Sequence, residues 1–153
     1  SLKDVELLNA SNYVPDDGTP LYDAIGKTIS RIDKDLAQNF NTAVLIVIQT
    51  DGEENSSKEF TKEAIQKLIK EKESKGWTFV YLGADQNAWQ NAQKIGFVQG
   101  NTWSYASSST VDTYTTLANA TIDYAAKVSS TGEGLLTPVN DFWVSVNNKT
   151  TAK

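Results

Sequence analysis

The sequence predicts an α/β fold in which a parallel β-sheet is flanked by helices, the Rossmann-like class. Two observations predict it. Segments with helical periodicity alternate along the chain with short, unbroken apolar runs that are rich in β-branched residues. Such runs are typical of strands that are buried on both faces, as in parallel sheets. The alternation implies right-handed crossovers between parallel strands.

The first helix is predicted at about residues 20–38, after an irregular stretch at 1–18. Thr19 suits the N-cap and Pro20 suits the first helical position. Apolar residues then recur at helical spacing, at Ile25, Ile29, Ile32 and Leu36. A buried strand follows at 43–49, and it ends in the acidic glycine turn at 50–55.

A second helix is predicted to start near Ser57, because Ser56 and Glu59 have the spacing of a capping box. Its apolar stripe is Phe60, Ala64, Leu68 and Ile69, and Gly76 ends it. Residues 77–83 form the second predicted strand. Asp85 caps a third helix, which ends at Gly96 and has as its inward residues Trp89, Ala92 and Ile95.

The remaining chain has weaker signals. Phe97 and Val98 begin a short third strand or an extended segment, and the Ser/Thr-rich stretch at 102–113 is predicted to be a loop. A fourth helix is expected at 111–127, with the apolar residues Leu117, Ile122, Ala125 and Ala126. The run at 142–146 in the tail is either an edge strand or a docking segment.

Composition excludes several classes of function. There is no cysteine and no histidine, which excludes disulfides, thiolate zinc sites and Ser-His-Asp catalysis. A bound metal would therefore be a hard cation held by oxygen ligands. The net charge of −5 argues against a nucleic-acid partner. No membrane contact is expected, because no apolar run approaches the roughly 20 residues that span a bilayer.

Three segments together resemble a von Willebrand factor type A domain of the small bacterial and bacteriophage kind. They are Gly18 to Gly26 (GTPLYDAIG), Val44 to Asn55 (VLIVIQTDGEEN) and Phe79 to Ala84 (FVYLGA). The resemblance covers about residues 5–127. It implies a metal-ion-dependent adhesion site, in which the family's threonine and aspartate are matched by Thr19 and Asp51. The ion would be Mg²⁺, or Ca²⁺ or Mn²⁺, and the acidic group of a protein partner would complete its coordination.

The chain departs from the family pattern in one large way. No Asp-x-Ser-x-Ser loop precedes Thr19, so the ion site is expected to be incomplete. Two or three strands are also few for a doubly wound sheet. We therefore predict the C-terminal part of such a domain at 1–128 and a tail at 129–153. Another chain or an upstream segment is expected to cover the exposed edge of the sheet.

Each site residue also has a structural interpretation that the sequence leaves open. Thr19 is either the N-cap of the first helix or an ion ligand, and Asp51 is either a turn residue or an ion ligand. Glu53, Glu54 and Asn55 are expected to favour a helix dipole or, alternatively, to touch the ion or the partner. Asp16 and Asp17 are expected to be turn residues or to lie behind the ion ligands.

The sequence favours a non-enzymatic binding module. A phosphatase of the haloacid dehalogenase type needs an aspartate two residues before Asp51, where Gln49 stands. Gly26-Lys27-Thr28 lies inside a predicted helix and is not a phosphate loop. The alternative function is a structural or assembly component, such as a virion protein. The expected location is accordingly cytoplasmic or virion-associated, since no signal-peptide pattern is visible at the N-terminus.

Overall fold

The computed structural model describes residues 7, 9–12, 18–36, 42–84, 88–105 and 110–144. Its elements follow in the order α1 (Leu21–Leu36), β1 (Leu45–Thr50), α2 (Lys62–Glu73), β2 (Thr78–Gly83), α3 (Ala88–Lys94), a 3-10 turn (Gln99–Asn101), β3 (Thr102–Ser104) and α4 (Thr110–Thr131). The predicted α/β fold with a parallel sheet and flanking helices is confirmed. The predicted roles of Asp16, Asp17 and Asp85 lie outside the described residues.

The three strands form one parallel sheet in the order β1-β2-β3. Leu45 lies opposite Thr78 at one end of the β1–β2 pair, and Thr50 lies opposite Gly83 at the other. All six residues of β2 are buried. Among the described residues no strand pairs with the outer edge of β1.

Helices cover both faces of the sheet. On one face α1, α2 and α3 pack against alternate residues of β1 and β2, and the core there includes Ile25, Ile29, Ile46, Ile48, Ile65, Ile69, Phe79, Tyr81, Ala92 and Ile95. On the other face α4 and the segment after it pack against the remaining residues of β2, and that core includes Val80, Leu82, Ala120, Tyr124, Val139, Phe142 and Trp143. Both clusters are largely apolar, as the unbroken apolar strands predict.

Two predicted glycines end helices by the same mechanism. Gly76 has a φ of +88°, a backbone conformation that only glycine adopts easily. Its N–H donates to the carbonyl of Glu73 at 2.9 Å, and the Trp77 N–H donates to the carbonyl of Lys72 at 3.1 Å. This pair of hydrogen bonds is the Schellman pattern. Gly96, with a φ of +100°, follows α3 in the same way.

The predicted start of α2 near Ser57 is wrong. The helix begins at Lys62, and Thr61 caps it by accepting a hydrogen bond from the Ala64 N–H. The backbone N–H groups of residues 58–60 bind the carboxylate of Asp23 instead. The buried face of the helix consists of Ile65, Ile69 and Lys72, whereas Ala64 is exposed.

The third strand and the inward face of α4 also differ from the prediction. Of the two alternatives for Phe97 and Val98, a strand or an extended segment, the strand is wrong; Val98 has an extended backbone outside the sheet. The strand β3 lies at 102–104, inside the predicted loop. The helix α4 extends to Thr131, beyond the predicted end at 127. Its buried residues are Thr113, Ala120 and Tyr124, whereas Ile122 is 65% exposed and both Ala125 and Ala126 are exposed. Trp89 of α3 is half-buried rather than part of the core.

The segment after α4 docks on the sheet. Its residues Val139, Phe142 and Trp143 are buried, and the buried Asn101 side chain donates to the Val139 carbonyl at 2.6 Å and accepts from the Phe142 N–H at 3.1 Å. No strand is present in its described part, which ends at Val144. The predicted division of the chain at 128/129 stays a prediction. None of the described helices is long and apolar enough to cross a membrane.

Candidate ion-binding loops at the end of strand β1

The candidate site lies where β1 ends and the N-terminus of α1 approaches it. The Thr50 hydroxyl closes the turn, because it donates to the Gly52 carbonyl at 2.8 Å and accepts from the Gly52 N–H at 3.2 Å. Asp51 is therefore presented at the tip of this turn, and it is exposed. This is the carboxyl end of a parallel strand, where ligands bind in open α/β sheets.

Thr19 lies directly against this turn. A Cβ atom built on Gly52 would come within 2.9 Å of Thr19 Oγ1, so only glycine permits this approach. The Thr19 N–H donates to Asn55 Oδ1 at 2.8 Å, and the Asn55 N–H donates to the Thr19 carbonyl at 3.2 Å. The structure thus brings the two predicted ion ligands, Thr19 and Asp51, onto adjoining loops.

Neither predicted ligand has another role among the described residues. The Thr19 hydroxyl and the Asp51 carboxylate make no hydrogen bond and no ion pair there. The interpretation of the Thr19 side chain as the N-cap of α1 is therefore wrong. As far as the described residues go, both groups could bind a ligand.

Side chains from the Asp51 loop cap α1 instead. Glu54 Oε2 accepts from the Tyr22 N–H at 2.8 Å, and the Ser57 hydroxyl accepts from the Asp23 N–H at 3.1 Å. Glu54 Oε1 accepts from the N–H groups of Ser56 and Ser57 at 3.0 and 2.8 Å. A carboxylate at a helix N-terminus is favoured by the helix dipole. The predicted dipole role of Glu54 thus applies to α1, the helix that precedes it in sequence.

Asp23 provides a second connection in the opposite direction. This side chain is only 8% exposed, and it accepts hydrogen bonds from the N–H groups of Lys58, Glu59 and Phe60 at 2.8 to 2.9 Å. Residues 58–60 would otherwise carry unpaired backbone donors in the connection to α2. Asp23 and Glu54 together hold the loop after β1 against the first turn of α1.

Both connecting carboxylates are stabilised in their charged form. The pKa of Asp23 is lowered, chiefly by the Lys58 N–H, with burial opposing and the N–H groups of Phe60 and Glu59 adding to the effect. Burial raises the pKa of Glu54, but the hydrogen bonds from Ser57, Tyr22 and Ser56 outweigh burial and the net pKa is lowered. The signal for these residues in the sequence was limited to an acidic group in the first turn of a helix.

A shallow pocket lies beside the turn, between α1 and α3. Its lining combines apolar side chains, charges of both signs and an amide; the lining residues are Leu21, Tyr22, Gly52, Glu53, Glu54, Tyr81, Asn91, Lys94 and Ile95. The Lys94 ammonium donates to Asn91 Oδ1 at 3.0 Å. Burial, together with the negative charges of Glu54 and Glu63, raises the pKa of Tyr22. The pocket could accommodate a side chain of a molecule bound at the turn.

The donor set fits one side of a hard-cation site. Thr19 Oγ1 and the Asp51 carboxylate are oxygen ligands of the kind that Mg²⁺ and Ca²⁺ prefer. Within the described ranges, no group of three or more acidic side chains could hold a metal ion. Since Mg²⁺ takes about six ligands, the remaining positions would have to be filled by water or by groups from elsewhere.

Comparisons of the chain with protein-family models, with curated proteins and with solved structures found no match in any of the three.

Proposed function

We propose that the chain is a non-enzymatic protein-binding module of von Willebrand A type, in which a divalent cation bridges the module to its partner. The observation that carries this proposal is the position of the Thr19 hydroxyl against the turn that presents Asp51. Both side chains lack other partners among the described residues, although the neighbouring Asp23 and Glu54 are fully engaged.

The proposed roles follow from the chemistry of the groups. Asp51 supplies negative charge to the cation, and Thr19 supplies a neutral oxygen beside the same turn. An Asp-x-Ser-x-Ser loop from an upstream segment or another chain would supply further oxygens, and the partner's acidic group would take the last position. The hydrogen bonds between Thr19 and Asn55 fix the distance between the loops, which reduces the cost of organising the ligands on binding.

The first test is ion binding by the chain alone. We expect no Mg²⁺ affinity in the millimolar range by titration calorimetry, because two protein ligands displace too few of the waters that Mg²⁺ holds. Tight binding by the isolated chain would show that the site is complete without any further loop.

The second test uses a longer polypeptide that includes the residues encoded before Ser1. There, Asp51→Asn should weaken Mg²⁺ binding at least about tenfold, since loss of even an outer-shell partner commonly has that effect. Glu53→Gln is the matched control, because Glu53 is a neighbouring exposed carboxylate whose one hydrogen bond within the described ranges is accepted from the Asn91 side-chain amide at 3.5 Å. Equal losses in the two variants would indicate a general charge effect and contradict the assignment of Asp51.

A scaffold role in a larger assembly is the second candidate. It is favoured by large apolar side chains that are exposed on α4 and after it, among them Val111 at 79% and Leu136 at 83%. The two functions differ in their dependence on the ion. Partner binding that survives both EDTA and Asp51→Asn would favour the scaffold, whereas loss under either condition would favour the ion bridge.

A further inference from the structure

The turn after β1 contains an aspartate that is followed directly by a glycine, at Asp51 and Gly52. The peptide nitrogen after an aspartate can attack the carboxyl group of that aspartate and close a five-membered succinimide ring. Glycine hinders this attack least, because it has no side chain and the widest choice of backbone angles. The turn therefore carries the aspartate-containing pair in which ring closure is easiest.

The structure explains why the second residue of this pair is glycine. A Cβ atom at position 52 would come within 2.9 Å of Thr19 Oγ1, so any larger residue would push the two loops apart. The close approach of the loops thus requires the same residue that makes the preceding aspartate reactive. The susceptibility of Asp51 follows from how the two loops are packed.

The carboxylate of Asp51 is available for this reaction. It is exposed, and within the described part of the chain no hydrogen bond or ion pair holds it away from the backbone. Asp23 is the contrasting case, because its carboxylate accepts three backbone hydrogen bonds and it is followed by Ala24 inside a helix. Of these two aspartates, only Asp51 has both a free carboxylate and an unhindered neighbour.

The Thr50 hydroxyl opposes ring closure. It accepts a hydrogen bond from the Gly52 N–H at 3.2 Å and donates one to the Gly52 carbonyl at 2.8 Å. The attacking nitrogen must leave this hydroxyl before it can turn towards Cγ of Asp51. Exposed turns open locally at a small cost in free energy, so the reaction does not require unfolding of the whole chain.

We propose that Asp51 and Gly52 form a site of spontaneous isomerisation to isoaspartate in the folded chain, and that the Thr50 hydroxyl limits its rate. First, a bond forms between the Gly52 nitrogen and Asp51 Cγ, and the carboxyl hydroxyl leaves with the amide proton as water. Water then adds to one of the two ring carbonyls and breaks the bond from that carbon to nitrogen. Addition at Cγ restores aspartate, whereas addition at the main-chain carbonyl of Asp51 gives isoaspartate.

Isoaspartate alters the turn itself. The main chain then runs through Cβ and Cγ of residue 51, which lengthens the chain by one atom, and the free carboxylate is attached directly to Cα. The carboxylate therefore no longer occupies the position that it has in the turn. The inference does not rest on the proposed ion site, although it identifies a reaction that would remove one of the proposed ligands with time.

The sequence provides an internal reference for the experiment. Asp17 and Gly18 are a second Asp-Gly pair, in which the attacking nitrogen also belongs to a glycine. In the urea-unfolded chain both pairs should react at similar rates, because only the local sequence then matters. The difference between the folded and unfolded rates at Asp51 measures the effect of the folded turn.

The test follows isoaspartate in the full chain during incubation at constant temperature and pH, by electron-transfer fragmentation of proteolytic peptides. At residue 51 of the folded natural chain we expect formation about two- to tenfold slower than in urea, the range that one hydrogen bond accounts for. Thr50→Val removes the hydroxyl and should abolish this difference. Thr50→Ser keeps the hydroxyl and should retain it. All three proteins should react alike in urea.

Three results would overturn the proposal. One is no isoaspartate at residue 51 of the folded chain over the time in which the unfolded chain converts. Another is an equal rate in folded Thr50→Val and in the folded natural chain, with Thr50→Ala as the second variant if Thr50→Val does not fold. The third is equal acceleration of both Asp-Gly pairs by Thr50→Val, which would indicate a general loosening of the fold. No measurement here involves an ion, so failure of the ion-binding tests would leave this result unaffected.

Discussion

Two kinds of carboxylate lie close together at the end of β1, and they differ in what they contact. Asp23 and Glu54 accept several hydrogen bonds each and connect loops that are distant in sequence. Asp51 lies in the turn after β1, and its carboxylate makes no hydrogen bond or ion pair with a described residue. Stability and ligand binding should therefore respond to different substitutions within a few ångströms of each other.

Acid should destabilise the folded chain through Asp23 and Glu54. The pKa of Asp23 and that of Glu54 are both lowered in the folded chain from ordinary values of 3.8 and 4.5. A carboxyl with a lowered folded pKa contributes stability that is fully present above the unfolded pKa and is lost as the pH falls through the folded pKa. Urea unfolding should show the free energy of unfolding falling steadily below about pH 4.5.

The variant Asp23→Asn isolates the part of this dependence that belongs to Asp23. It removes the titrating group but retains one oxygen as an acceptor, so its free energy of unfolding should vary less steeply with pH than that of the natural chain. An unchanged slope would mean that other carboxylates cause the acid sensitivity.

Glu54 and Glu53 should differ in how much each contributes to the free energy of unfolding. In Glu54→Gln an NH₂ group replaces one of the two accepting oxygens. It then meets either the Tyr22 N–H and the Ser57 hydroxyl, or the N–H groups of Ser56 and Ser57. Loss of charge-assisted hydrogen bonds should cost about 2 kcal/mol in the free energy of unfolding. Glu53→Gln, at an exposed position, should change it by less than about 0.5 kcal/mol. Urea denaturation of both variants checks the difference, and equal effects would contradict the capping role.

For single residues, the sequence predicted the two candidate ion ligands but not the hydrogen bonds that connect the two loops. The adjacency of Thr19 and Asp51 followed from the resemblance of three short segments. The hydrogen bonds of Asp23, Glu54 and Asn55 join residues 32 to 37 positions apart. Their formation depends on how closely two loops approach, which local patterns do not encode.

At the scale of elements, the contact between α1 and the connection to α2 depends on one glycine. A Cβ atom built on Gly26 would come within 2.6 Å of three atoms of the Phe60 ring. Gly26 is buried in the middle of α1, where alanine would ordinarily stabilise a helix by about 1 kcal/mol. The close packing of the ring therefore explains why a poor helix former occupies this position.

We predict that Gly26→Ala lowers the free energy of unfolding by about 1–3 kcal/mol, the usual cost of overpacking. The double variant Gly26→Ala with Phe60→Leu should recover part of that loss, because leucine leaves room for the added methyl group. Thermal unfolding of the two single variants and the double variant gives the coupling between the sites. Strictly additive effects would show that the loss in Gly26→Ala does not come from the Phe60 ring.

The errors in predicting the elements have related causes. Ser56 and Glu59 have capping-box spacing, but Asp23 binds the backbone N–H groups of residues 58–60 and the helix starts later, at Lys62. The short strand β3 has the composition of a loop and is formed by pairing with β2. For α4, whose apolar residues surround much of the helix, the packing of Ala120 and Tyr124 determines which side is buried.

At the scale of the whole molecule, β1 is the element whose surroundings least match its sequence. It has the composition of an interior strand, but its outer edge is open among the described residues. Hydropathy alone predicted a strand buried on both faces and could not specify how many strands surround it. An unpaired, flat apolar edge is a template for association with other chains.

The open outer edge of β1 should cause the chain to self-associate. At high concentration the present chain should form polydisperse assemblies by adding strands at β1, and Val47→Lys should slow their growth several-fold because an edge lysine opposes strand addition. The control is Val98→Lys, since Val98 is 39% exposed, close to the 36% of Val47, but lies outside the strands. Both variants add one positive charge, so a general effect of net charge would appear equally in the two. Light scattering against time measures the growth. Equal rates in the two variants would place the contact elsewhere, whereas slower growth in Val47→Lys alone would locate it at the edge of β1.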